Sequence, residues 1–120
     1  MKTTGDEMPE RMTATLDEGL TLFEEGRYFD AHEIWEEEWV DAPKQDRDFL
    51  QGLIHVAICL HHAGKGNIRG AALQAGKALS RLDGLPDVHR GVSLRNARAF
   101  AAQVIDLKGL EVQAPVLRVK

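Results

Sequence analysis

The residues of this chain best suited to chemistry lie together in Tyr28–Trp39, YFDAHEIWEEEW. His32 and Glu36 are four positions apart, the spacing at which two side chains of a helix point the same way and can aim at one metal ion. Glu33, next to His32, stands where a carboxylate can serve as general base. Counting about 100° per residue from His32, Glu36 falls near about 40°, Phe29 near about 60°, Trp39 near about 340°, Tyr28 near about 320° and Trp35 near about 300°. His32 and Glu36 therefore share the aromatic side of the helix, whereas Glu37 and Glu38 point away. A helix buries its aromatic stripe, and polar groups carried inward with it must find partners or change protonation state.

A second strip of donors follows. Taking Gln51 as zero, His55 lies at about 40°, His62 at about 20° and Cys59 at about 80°, while His61, at about 280°, is turned elsewhere. If this strip faces the first, His32, Glu36 and His62 offer two nitrogens and one oxygen, a set suited to zinc or another divalent transition metal. Water completing the shell would be polarised for hydrolysis, with Glu33 or Glu37 taking its proton. Gln51 or Asn67 would orient a substrate, and His55 and Trp39 would complete the lining. The pattern His32-Glu33-x-x-Glu36 resembles a zincin HExxH helix with a carboxylate in place of the second histidine. The same residues equally describe a structural network in which Glu36 or Gln51 satisfies His32 or His62 across a helix interface. Spacing leaves both readings open. Cys59 reads as a small buried hydrophobe, Tyr28, Trp35 and Trp39 as core or dimer contacts, and His89 as an exposed loop residue.

The elements that must position these groups are helices. Residues 1–8 read as a disordered start. A first helix runs from Pro9 to about Glu25, with Met12, Leu16, Leu20 and Phe23 on one side, and stops at Gly26. The second spans Tyr28 to about Asp41 and ends before Pro43. The third, Lys44 to about Ala63, is apolar on most sides and reads as the central helix. The run Gly64–Asn67 breaks it, and a fourth helix covers Ile68 to about Leu82. After Asp83-Gly84-Leu85-Pro86, a fifth helix begins with Ser93 as N-cap and reaches about Lys108. Residues 109–120 read as an extended tail. The fold class is all-α: a compact bundle of about five helices, built from two helical hairpins plus a C-terminal helix, in one domain over residues 9–108.

Gly26…Ala31 and Gly66…Ala71 share a glycine followed five positions later by alanine, offset by forty residues, and each marks the turn of a hairpin. The turn GRYFDA is similar to part of a tetratricopeptide repeat, although the full pattern of that repeat is absent. A non-enzymatic helical interaction module is therefore the alternative to a metal-dependent hydrolase.

Composition narrows the setting. The single cysteine cannot form an intrachain bridge and fits a reducing compartment, the cytoplasm. The longest apolar run is too short and too polar to span a bilayer. Residues 1–50 hold fifteen Asp/Glu against five Lys/Arg, and residues 51–120 hold four against ten, a split that places acidic helices beside basic ones within a fold or across a homodimer. The cations are not interleaved with aromatics, which argues against a nucleic-acid surface.

The runs GRYFDAHEIWEEEW and FLQGLIHVAICLHHAGKGNIRGAALQAGKALSRL resemble the bacterial and archaeal family known as domain of unknown function 309. Its pattern is a Gly-x-Tyr/Phe-x-x-Ala-His-Glu-x-x-Glu-x-x-Trp helix, a Leu-Gln-Gly-Leu-Ile helix ending in His, and a Gly-Asn-x-x-Gly-Ala turn. The likeness covers about Leu22 to Leu82 and falls on Gly26, Tyr28, Ala31, His32, Glu33, Glu36, Trp39, Gln51, Gly52, His62, Gly66, Asn67, Gly70 and Ala71. It implies a small helical bundle and carries the label of a metal-dependent hydrolase, with His32, Glu33, Glu36 and His62 on the pattern and Cys59 off it.

Overall fold

The computed structural model describes residues 10–106 and 112–119. The expected disordered start lies outside the described residues, as does the stretch just beyond residue 106. Five helices account for most of the chain: α1 (Glu10–Glu24), α2 (Tyr28–Val40), α3 (Lys44–Gly64), α4 (Ile68–Leu82) and α5 (Leu94–Asp106). A two-stranded antiparallel hairpin that periodicity did not foresee, β1 (Val88–His89) and β2 (Val92–Ser93), precedes α5. Two-residue strands are too short for alternation to show in the sequence.

The two helical hairpins turn in the same way. After α1, the amide of Gly26 donates to the carbonyl of Phe23 at 3.0 Å and that of Arg27 to Leu22 at 2.9 Å; forty residues later Gly66 donates to Ala63 at 3.0 Å and Asn67 to His62 at 2.9 Å. This is the Schellman closure, which needs a residue in the left-handed region, and Gly26 (φ 81°) and Gly66 (φ 75°) supply it without a Cβ penalty. Ala31 and Ala71, the alanines of the echo, are both wholly buried. Asn67 adds a side-chain cap, its Oδ1 accepting from the Gly70 amide at 2.9 Å.

Helices α1 to α4 pack in chain order, with α5 on α4. Trp35 lies at the centre of the α1–α2 layer, its indole N–H directed at the Leu16 carbonyl at 3.4 Å. Gly19 is required beneath it, because a Cβ there would occupy the indole ring. Gly52 plays the same part at the α3–α4 crossing, where Leu82 fills the space a methyl would take. Ser93 caps α5 by accepting from the Asn96 amide at 3.1 Å. The segment 112–119 is extended: Leu117 is buried, Arg118 bridges to Val92, and the Arg118 guanidinium reaches Asp17 and Glu24 of α1. Among the described residues, no helix is long and apolar enough to cross a membrane.

Candidate functional site

The buried line of α2 runs through Ala31 and Trp35, not through His32. On the helical wheel that line lies about 60–100° away from His32. His32 consequently sits at the rim with 12% of its side chain exposed, and Glu36 projects into solvent at 60%. The inward placement read from the aromatic stripe is corrected for Glu36, whereas His32 is largely covered. Phe29, at one edge of the stripe, is half exposed, and Ala31 at the opposite side is wholly buried.

His32 and Glu36 do meet: Nε2 and Oε2 are 3.8 Å apart. The imidazole is held from its other side, where Nδ1–H donates to the Phe29 carbonyl at 2.7 Å. Because a carbonyl can only accept, this bond leaves Nε2 of the neutral ring with its lone pair toward Glu36. Phe29 stands between two imidazoles, its ring centroid 4.7 Å from His32 and 5.0 Å from His61. His61, read as turned elsewhere, is thus the α3 residue that borders α2's outer face. An open groove of about 800 Å³ runs along α1 and α2, lined by His32, Glu33, Glu36, Phe29, Arg27 and further acidic residues.

The remaining candidates are directed elsewhere. His62 Nδ1 accepts from the Asn67 side-chain amide at 3.4 Å, within the α3–α4 turn that Asn67 caps. His55 donates through Nδ1 to Gln74 of α4 at 2.7 Å. Burial pushes the His55 imidazole below its ordinary value; the Gln74 bond opposes this, and nearby Lys77 and Arg81 reinforce it. Gln51 is half-buried on α3. Trp39 carries the Arg47 guanidinium 4.1 Å above its ring, and Arg47 also donates to the Trp39 carbonyl at 3.0 Å. The Trp39 indole nitrogen is buried without a partner among the described residues. Cys59 is buried and its thiol is pushed up to about 11 by desolvation. Among the described residues, no three His, Cys, Asp or Glu side chains converge as a metal-holding group.

One polar cluster escaped the sequence. His89 is not an exposed loop residue: its Nε2–H donates to Oδ1 of Asp46 at 2.8 Å, and its ring lies edge-on to Phe49 with centroids 4.6 Å apart. Arg90 grips the same carboxylate with Nε at 2.7 Å and a terminal nitrogen at 3.0 Å. Asp46 has no exposed surface. Burial opposes its ionisation, but the hydrogen bonds and charges of Arg90 and His89 outweigh that and hold the carboxyl below its usual range. The only sequence signal was an acidic residue in the first turn of a helix and a His-Arg pair more than forty positions later.

Residues 16–73 match the family model described as domain of unknown function, DUF309. Over this stretch the chain is similar to that family. That segment runs from α1 to the middle of α4 and contains both Schellman turns, Trp35 and the His32–Glu36 pair. An uncharacterized protein of Aquifex aeolicus (strain VF5) is 32% identical over 99 residues, which cover 82% of this chain and 30% of the relative. The chain therefore spans under a third of that relative's length.

Proposed function

We propose that this protein is a helical interaction module whose binding surface is the outer face of α2, with the histidines serving the local structure. The observation that supports this reading is the divergence of the donors. His55 is bound to Gln74 and His62 to Asn67, which leaves His32 and Glu36 as a pair on a groove wall. Two tandem hairpins closed by the same turn are an arrangement suited to presenting helix faces to a partner. Thermal melts of the protein and of His32→Ala, each with and without a chelator, test the reading. The variant is expected to melt lower by roughly 1 kcal/mol for the lost bond to Phe29, with chelator shifting neither protein. Destabilisation by chelator of the unmutated protein alone would overturn it.

A second reading, a metal-dependent hydrolase, has its own support in the His32 bond to Phe29. A ring held by a backbone acceptor with its other nitrogen facing a carboxylate is how metal-ligating imidazoles are commonly oriented. His32 and Glu36 fit half of such a site, and Glu33 beside them is the candidate base. Zinc or manganese raising the melting temperature of the protein, but not of His32→Ala or Glu36→Gln, would favour this second reading.

A further inference from the structure

Resting on the interaction-module reading, we infer that the partner of the α2 face is the α4 face of a second copy of this chain. On α2, exposed Phe29 and Val40 bracket Glu33, Glu36 and Glu37, all solvent-facing, over a span of about 16 Å. On α4, exposed Leu73 lies between Arg69 and Lys77 at four-residue intervals, a strip about 12 Å long. Gly76 lies beside this strip with open space where a Cβ would be, so a facing helix can approach closely. Each face thus offers exposed apolar surface, Phe29 and Val40 on one and Leu73 on the other, in a field of one sign, and the signs are opposite. Among the described residues, no ion pair within the chain engages Glu33, Glu37, Arg69 or Lys77, so these charges are available across an interface.

The charge split between the two halves of the sequence acquires a physical use. A single chain cannot join its own α2 and α4 faces, since both helices pack on α3. A two-fold pairing of copies would set each acidic face against a basic one twice. Of the aromatic stripe, Trp35 is wholly inside the core, and Phe29 is the member this pairing uses. Opposed charges steer the encounter and set the register, while Phe29, Val40 and Leu73 lose their contact with water.

Light scattering on the eluting protein at low and at high salt tests the inference, with two surface variants, Glu33→Lys/Glu37→Lys and Arg69→Glu/Lys77→Glu. The unmodified chain is expected at twice its 13.3 kDa mass at low salt, with salt weakening the association. Each reversed variant, folded by circular dichroism, is expected to associate at least about ten-fold more weakly. An equal mixture of the two is expected to recover the dimer, because one contact then joins two reversed faces and the other two unmodified ones, both of opposite sign. A dimer indifferent to either reversal would overturn the inference. So would a monomer at every salt and concentration; with chelator-insensitive melts, that result would leave the interaction-module reading standing with a foreign partner on the α2 face.

Discussion

Replacing Asp46 by alanine removes a buried acceptor that joins the β-hairpin to the start of α3. Three donated bonds end on this carboxylate, from His89 at 2.8 Å and from Arg90 at 2.7 and 3.0 Å. Asp46 is fully buried, and the His89 and Arg90 side chains are 24% and 14% exposed. Breaking a buried ion pair from one side costs about 3–5 kcal/mol, chiefly because the surviving charge stays under-solvated. The partial access of Arg90 to water places Asp46→Ala near the lower end, about 3 kcal/mol. Unfolding entropy of about 2 cal/mol/K per residue converts this to a fall in melting temperature of roughly 12 °C for a chain of this length. Asp48→Ala, which breaks the exposed pair with Arg81 at 3.3 Å, is the control and should cost under about 1 kcal/mol. The pH dependence has a defined sign. Since the folded Asp46 carboxyl titrates below its unfolded value, its contribution is fully present above about pH 4 and is lost as pH falls through the folded value. The gap between protein and variant should stay level near neutrality and narrow in acid, as followed by thermal melts across a pH series. A variant within about 1 kcal/mol of the parent, or a gap that widens in acid, would refute the assignment of the clamp.

Two further outcomes follow from the same geometry. Asn67→Ala should cost about 1 kcal/mol, the usual loss of an N-cap, and melt roughly 4 °C lower; an unchanged melt would remove Asn67 from its capping role in α4. Cys59, buried and with its thiol near 11, should resist iodoacetamide in the native protein at mildly alkaline pH and react only as the chain unfolds, so prompt native alkylation would contradict its burial.

Helix limits were legible because they obey local chemistry. Gly26 and Gly66 adopt the left-handed backbone that ends a helix, Pro43 separates α2 from α3, and Ser93 caps α5, each as its residue type implies. The forty-residue echo likewise foretold two matching turns. The rotation of α2 was not legible. Its aromatics span a wide arc of the wheel, so periodicity gave the angles between side chains but not which angle met α1 and α3. The space made by Gly19 decided for Trp35, which left His32 at the rim and Glu36 in solvent. The Asp46 clamp was hidden for a different reason: its partners are 43 and 44 positions away, and the hairpin carrying them is too short to leave a periodic trace. Sequence by itself determined the helices, their order and their turns, since these depend on neighbours along the chain. Tertiary packing decided which face of α2 is buried, what each histidine bonds to and where the buried carboxylate finds its charge partners, because those outcomes depend on neighbours in space.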